Sequence, residues 1–138
     1  PVAIDEGRSF AERNYDRSKR KVNYDLVPYA VFSQPEIASV GMTEENASLS
    51  IGKDNIKVYR SIFRPLSKSI PKKGSKCILK LIVNSNTSKV LGCHMIGDNS
   101  SEIIQMASIS LMLGAKKSDF DNTMALHPTI AEEFVTMR

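Results

Sequence analysis

The 138-residue sequence contains little cysteine and no long hydrophobic run. Its two cysteines, Cys77 and Cys93, are too few for a secreted scaffold held by disulfides, so we expect a reducing, cytoplasmic environment. No apolar run approaches the roughly 20 residues that cross a bilayer, and the first residues lack the pattern of a signal peptide. We therefore expect no membrane association.

The sequence also lacks a nucleotide-binding or redox signature. No Gly-rich dinucleotide fingerprint is present, so the chain is not expected to hold a nucleotide cofactor by itself. Cys77 and Cys93 are sixteen residues apart on neighbouring predicted strands. We interpret both as small packed hydrophobic residues rather than as a reactive pair, and no metal site is predicted.

Positive charge is in modest excess, with a formal net charge of +4. Basic residues concentrate within 17–21 and at Lys72, Lys73 and Lys76. Such clusters could bind nucleic acid, and that binding would depend steeply on salt. No aromatic residues alternate with them, as a stacking platform requires. Solvated loops are therefore the preferred interpretation, and no nucleic-acid partner is expected.

The remaining composition is that of one globular domain with a hydrophobic core, since 41% of the residues are hydrophobic and 25% are charged. Periodicity and turn residues indicate an α+β fold, with helices packed on one face of an antiparallel sheet. A linker is expected at 14–27 and an exposed loop at 66–75. The predicted strands are 27–33, 37–42, 55–64, 76–83 and 89–96, and the predicted helices are 2–14, 44–50, 99–113, 119–122 and 130–137.

Alternation of apolar residues predicts which side of each strand is buried. In the strand at 55–64, Ile56, Val58 and Ile62 are expected to face the core. Residues 76–96 are expected to form an antiparallel hairpin around a turn rich in Asn and Ser. Its inner face is expected to carry Cys77, Leu79, Leu81 and Val83.

The helix at 99–113 is the most apolar element of the sequence. Asn99 and Glu102 have capping-box spacing, and Gly114 ends the helix. Its apolar residues surround the helix axis, so it must be buried on every side. The sheet can cover one side, and another subunit is a natural cover for the other. Ser118 is expected to cap the short helix that follows.

The last residues combine a histidine, a proline and a helix start. Pro128 keeps His127 out of the helical region, and Thr129 can cap a helix with Glu132 at capping-box spacing. Glu132 is therefore near enough to hydrogen-bond one ring nitrogen of His127, which leaves the other free to move a proton. The alternative is a capped helix with a surface histidine. The second histidine, His94, is expected to be structural.

Two segments carry a family resemblance. The tail, His-Pro-Thr-x-x-Glu-Glu-Phe-Val-Thr, resembles the C-terminal signature of the flavin-dependent pyridine-nucleotide disulfide oxidoreductases. Residues 27–47, which include Pro-Glu-Ile-Ala-Ser-Val-Gly-Met-Thr-Glu, resemble the start of that family's third domain. The resemblance implies that 27–138 form the dimerisation (interface) domain of a homodimer. It implies that 1–26 are the end of the flavin domain and a linker, and that domains outside this chain bind most of FAD and NADPH.

The same resemblance implies a catalytic pair. His127 would be proton donor and acceptor for the leaving thiol, and Glu132 would orient it. A departing thiolate leaves faster when a proton is supplied, which suits an imidazole. The backbone at His127 and Pro128 would approach the flavin of the other subunit. The family's Cys-x-x-x-x-Cys pair is absent, so this fragment alone is not expected to be active.

The resemblance also implies a substrate site. The segment Phe63-Arg64-Pro65-Leu66 resembles the one that lines the disulfide substrate's site, so Phe63, Arg64 and Leu66 are candidate contacts. Arg64 could pair with a glutathione carboxylate or could simply end a solvated strand. Glu133 is a further candidate contact, for the amino group of the substrate.

Together with the Glu-Glu-Phe-Val-Thr ending, this segment most resembles the glutathione-reducing members of the family. The resemblance therefore implies an NADPH-dependent reductase of glutathione disulfide. The alternatives are a mercuric, lipoamide or trypanothione-type reductase, or a non-catalytic dimerisation module that would not need His127.

Overall fold

The computed structural model describes residues 1–16, 19–69 and 74–138. At its centre is a five-stranded antiparallel sheet in the order β1-β2-β5-β4-β3. The α+β class and the antiparallel sheet are those predicted from the sequence. The strands are β1 Tyr29–Val31, β2 Ile37–Gly41, β3 Ile56–Phe63, β4 Cys77–Asn84 and β5 Val90–Ile96. The helices are α1 Val2–Tyr15, α2 Glu44–Ile51, α3 Leu66–Ser69, α4 Ser100–Met112, α5 Lys117–Asp121 and α6 Glu133–Thr136.

The hairpin of β4 and β5 forms the middle of the core. Leu79 and Leu81 of β4 are paired directly with Met95 and Cys93 of β5, and all four are buried. Directly opposed residues share one face of the sheet, so these side chains form one apolar layer. In the connecting turn, the side-chain oxygen of Asn84 accepts two backbone N–H bonds at 2.9 Å. The predicted hairpin and its inner face are confirmed.

Strand β3 turns a different face to the core from the one expected. Tyr59 and Phe63 pack against the core, whereas Ile62 is 59% exposed. The expectation that Ile56, Val58 and Ile62 form the buried face is wrong. Apolar residues occupy both alternations of this strand, so its own pattern is ambiguous. The pairing of Tyr59 with the buried Leu81 of β4 decides the face.

Helix α4 covers the apolar layer, with Ile104 and Leu111 buried against β2 and β5. Helices α5 and α6 extend this cover and bury Phe120 and Phe134. The opposite side of α4 is exposed over a continuous apolar strip, formed by Met106, Ile109, Met112 and Leu113. We call these four residues the outer face of α4. The described chain therefore covers one side of α4 and leaves these four apolar side chains exposed.

Helix α2 begins at its predicted cap, because the hydroxyl oxygen of Thr43 accepts a hydrogen bond from the backbone N–H three residues on. Its Glu44 carboxylate accepts bonds from Arg60 at 2.6 Å and Lys80 at 3.4 Å. The hydrogen bond from Arg60 is the main cause that lowers the pKa of Glu44. Arg60 and Lys80 are directly opposed on β3 and β4, so the carboxylate offsets their repulsion.

The start of α4 is capped by a residue from a distant turn. Asn99 has a left-handed φ of 62° and its side chain makes no capping bond, so the predicted Asn99–Glu102 box is wrong. Instead the Glu36 carboxylate accepts bonds from the backbone N–H of Ser101 at 3.2 Å and from its hydroxyl at 2.9 Å. The turn before β2 thus supplies both an acceptor and a negative charge to the positive end of the helix.

Replacing Glu36 by alanine is expected to lower the free energy of unfolding by about 1–2 kcal/mol, because α4 loses its cap and the favourable charge. Urea denaturation of the chain measures this loss. Glu102→Ala is the matched control, since the Glu102 carboxylate has no hydrogen bond among the described residues. A loss for Glu102→Ala as large as that for Glu36→Ala would contradict the cap assignment.

Other helices differ from expectation at their ends. Ser118 lies inside α5, and the Asp119 carboxylate caps that helix by accepting the backbone N–H of Lys116 at 2.7 Å. The expected loop at 66–75 begins with the short helix α3, and the linker contains a 3-10 turn, Tyr24–Leu26. Residues 17–18 and 70–73, which hold part of the basic clusters and of this loop, lie outside the described residues.

Helix α1 is formed as predicted, but its apolar side chains Ile4 and Phe10 are exposed. It is fastened to the following segment by an ion pair of Asp5 with Arg20 and by a 2.6 Å hydrogen bond from the Tyr24 hydroxyl to Glu6. Within the described ranges, no helix is both long and apolar enough to cross a membrane.

Candidate active site

The tail containing His127 is held on the core by the last two buried apolar residues. Phe134 of α6 and Met137 just after it are buried in the apolar layer. The buried ammonium of Lys117 donates to the Met137 carbonyl at 2.8 Å. Helix α6 covers only Glu133–Thr136, so the predicted helix at 130–137 is shorter than expected. The residues before it form tight turns, because the carbonyls of Ile130 and Ala131 accept the backbone N–H groups only three residues on, those of Glu133 and Phe134.

His127 and Glu132 are brought together at the start of this segment. The ring Nδ1 of His127 lies 3.0 Å and 3.1 Å from the two carboxylate oxygens of Glu132. Thr129 contributes its hydroxyl oxygen, which accepts the Glu132 backbone N–H at 3.1 Å. Because the carboxylate of Glu132 is bonded to the His127 ring, it does not complete the predicted capping box. The bond between His127 and Pro128 is cis.

The side chains of His127 and Glu132 differ strongly in their exposure to solvent. The His127 side chain is 82% exposed, whereas that of Glu132 is only 13% exposed. A shielded carboxylate that accepts a hydrogen bond from Nδ1 holds the imidazole in one orientation and places the N–H of the neutral ring on Nδ1. The Nε2 atom of His127 has no hydrogen bond to a described residue. This nitrogen is therefore available to give or take a proton at the surface.

The end of β3 and the residues that follow it lie across a cavity from His127 and Glu132. Phe63 is the last residue of β3, and Pro65, which has no N–H to donate, follows the strand. The Pro65 carbonyl accepts the backbone N–H of Lys68 at 2.9 Å and begins α3. The Nε atom of Arg64 is buried and has no hydrogen-bond partner within the described ranges. A buried guanidinium donor is costly to leave without an acceptor.

One cavity of about 420 Å³ joins the two walls. Every residue that the sequence nominated for catalysis, substrate or flavin contact lines it: Phe63, Arg64, Leu66, His127, Pro128, Glu132 and Glu133. Leu66 and Pro128 are exposed at its rim, while Glu133 is half-buried. The cavity therefore combines an imidazole with one cationic and two anionic side chains.

Ser61 is a polar contact of this site that the sequence did not indicate. Its hydroxyl donates to Glu133 Oε2 at 2.6 Å. The expected burial of Ile56, Val58 and Ile62 placed Ser61 on the wrong side of β3. The aromatic residues Tyr59 and Phe63, which flank Ser61 at alternate positions, were the available signal for the correct face.

His94 and the cysteines lie away from this cavity. The His94 Nε2 atom is 2.9 Å from the Met42 carbonyl, and burial lowers the pKa of the ring, so its structural role is supported. Cys77 and Cys93 are both buried free thiols, and burial raises the pKa of each. A buried thiol with a raised pKa is a poor nucleophile.

The relationship to known proteins agrees with this geometry. Residues 27–138 match the family described as the dimerisation domain of the pyridine nucleotide-disulphide oxidoreductases. Over all 138 residues the chain is 46% identical to a glutathione reductase of Nostoc sp. and 41% identical to one of Burkholderia cepacia. It spans 30% of the length of each of these relatives.

A solved structure agrees with the fold. The HOCl-induced flavoprotein disulfide reductase RclA from Escherichia coli matches 99% of this chain with 31% of its own length. The TM-score is 0.82 and the sequence identity is 26%. With the family match over 27–138, these similarities show that the chain belongs to the dimerisation-domain family of the pyridine nucleotide-disulphide oxidoreductases.

Proposed function

We propose that this chain is the dimerisation domain of a homodimeric glutathione-disulfide reductase that depends on NADPH and FAD. The observation that carries the proposal is the His127–Glu132 pair at the exposed edge of the 420 Å³ cavity. The two glutathione reductases matched along the whole chain support the choice of glutathione disulfide as substrate.

The proposed chemistry is a thiol–disulfide exchange assisted by an acid. A thiolate from outside this chain attacks one sulfur of glutathione disulfide, so a mixed disulfide forms and the original S–S bond breaks. The second glutathione leaves as a thiolate and takes a proton from His127 Nε2. The Glu132 carboxylate accepts a hydrogen bond from His127 Nδ1 and so holds the direction of the ring throughout.

The cofactors would be held mainly by other parts of the protein. The exposed side chains of His127 and Pro128 leave this corner of the chain open to a flavin bound by the other subunit. A second thiol outside this chain would attack the mixed disulfide and release the first glutathione, and FAD and NADPH, when bound, would supply the two electrons that reduce the protein disulfide so formed. This chain contributes the proton transfer, the substrate contacts and the dimer interface.

Dimerisation would use the outer face of α4. Met106, Ile109, Met112 and Leu113 are all at least half exposed, although they lie on the most apolar helix of the chain. A large apolar surface of this kind is typical of a protein interface. In a two-fold dimer the same surface of each copy meets the other. In this proposal the tail then delivers His127 to the other subunit's disulfide site.

We also propose a domain assignment for residues 1–26 and a cellular compartment for the protein. Residues 1–26 would be the end of a flavin domain and a linker, which is supported by the exposed apolar side chains of α1, Ile4 and Phe10. The unpaired thiols Cys77 and Cys93 support a reducing compartment, for which we propose the cytoplasm.

The full-length protein is expected to oxidise NADPH with glutathione disulfide. Its kcat/KM should be at least about 100-fold higher than with trypanothione disulfide, lipoamide or Hg²⁺, because the polar groups of the cavity would be left unpaired by the wrong substrate. Absorbance of NADPH measures each rate under matched conditions. A preference for one of the other three substrates would replace glutathione disulfide in the proposal.

A further inference from the structure

Ser61 and Glu133 make a hydrogen bond that links the sheet to the catalytic tail. Ser61 lies on β3 and Glu133 is the first residue of α6, 72 positions further along the chain. The hydroxyl-to-carboxylate distance is 2.6 Å, and both residues are half-buried. Bonds to an ionised carboxylate are short and roughly twice as strong as neutral ones.

This bond restrains the direction of the Glu133 carboxylate. Ser61 is paired with the buried Leu79 of β4, so the pairing of the edge strand β3 with β4 holds the backbone that carries its hydroxyl. Glu133 Oε2 receives that hydroxyl, and no lysine or arginine of the described ranges pairs with the carboxylate. The carboxylate is therefore held in place by a neutral donor, and its other oxygen can accept from another partner.

The charge of the cavity suggests what that partner is. Arg64 and Glu133 line the same cavity, and the Arg64 Nε is buried without a partner in the described part of the chain. A cation and an anion in one cavity complement a group that carries both an ammonium and a carboxylate. A carboxylate whose rotamer is already fixed binds an ammonium at a lower entropic cost.

We propose that Ser61 is a positioning residue that fixes Glu133 to recognise the ammonium group of the disulfide substrate. This inference rests on the proposed function, because it assigns the substrate's amino end to Glu133. Ser61 acts through Glu133 and does not touch the reacting sulfurs, so it should affect substrate binding more than the chemical step.

The test uses the full-length holoenzyme with two substrates, glutathione disulfide and its N-acetylated form, which carries no ammonium group. Ser61→Ala is expected to raise KM for glutathione disulfide about tenfold, as for one hydrogen bond to a charged group, with kcat within about twofold. KM for the N-acetylated substrate should be the same in Ser61→Ala and wild type. Ser61→Thr keeps a hydroxyl and should restore KM for glutathione disulfide.

Ser48→Ala is the matched control. It removes another half-buried serine hydroxyl, which donates to the Glu44 carbonyl within α2 at 2.7 Å, and it should leave both KM values unchanged. Equal changes of KM for both substrates in Ser61→Ala, or no change for either, would overturn the role of Ser61. A wild type that does not reduce glutathione disulfide contradicts the proposed function itself and the Ser61 role with it. Failure of the Ser61 role and failure of the proposed function therefore give different experimental results.

Discussion

Replacing His127 by alanine in the full-length protein is expected to lower kcat with glutathione disulfide by about 10²–10⁴-fold, the usual contribution of a positioned acid or base. The thiolate of the leaving glutathione would then depart without a proton from the protein. Reduction of the flavin by NADPH should continue at the wild-type rate, because that step does not use the imidazole. Steady-state turnover and stopped-flow absorbance of the flavin measure the two parts separately.

Two further variants test whether the loss of kcat is specific to the pair of His127 and Glu132. Glu132→Gln keeps a polar group near His127 Nδ1 but removes the charge, so its loss of kcat should be smaller than that of His127→Ala. His94→Gln is the control for loss of a histidine, because His94 is bonded to the Met42 carbonyl outside the cavity. Its folded form should turn over at the wild-type rate. Unchanged turnover in His127→Ala would favour a dimerisation module with no catalytic part.

Replacing Ile109 by arginine is expected to weaken the dimer of the full-length protein by about 10²–10³-fold. Ile109 is 50% exposed in the middle of the outer face of α4, and in the proposed dimer it is buried against the second copy. An unpaired charge buried in an interface costs about 3–5 kcal/mol. Turnover should fall with the dimer, because in the proposed dimer each disulfide site uses His127 from the other subunit.

Sedimentation equilibrium measures the dissociation constant, and turnover at increasing protein concentration shows whether activity follows the dimer. Leu49→Arg is the matched control, since Leu49 is 80% exposed on α2, outside the outer face of α4. That variant should remain dimeric and active. An Ile109→Arg protein that is dimeric at the wild-type dissociation constant would move the interface elsewhere on the chain.

Several features of the fold could be predicted because nearby residues determine them. Leu79 alternates with the less buried Ile78 and Lys80, and the Asn84 turn closes the hairpin through bonds that span only two and three residues. The Thr43 cap likewise needs only the next turn of its own helix. The contact between His127 Nδ1 and the Glu132 carboxylate could also be predicted, because the two residues are only five positions apart.

Two of the features that sequence reasoning missed depend on residues far apart in the chain. The cap of α4 comes from Glu36, which is 65 positions before Ser101, and no local pattern indicates it. The pattern of β3 allowed either face because Ile62 and Phe63 are adjacent and both apolar. Only the pairing with β4 placed Tyr59, Ser61 and Phe63 inward.

The sequence by itself determined the α+β class and the hairpin, and the family resemblance of its short motifs nominated seven of the residues that line the cavity. Each of these follows from periodicity, turn chemistry or short spacing, or from a motif carried in consecutive residues. Only the tertiary structure decided which face of β3 is buried, that Glu36 caps α4, and that Ser61 holds Glu133. Those outcomes depend on strand register and on helix placement, which are set by burial of the whole core and not by any one segment.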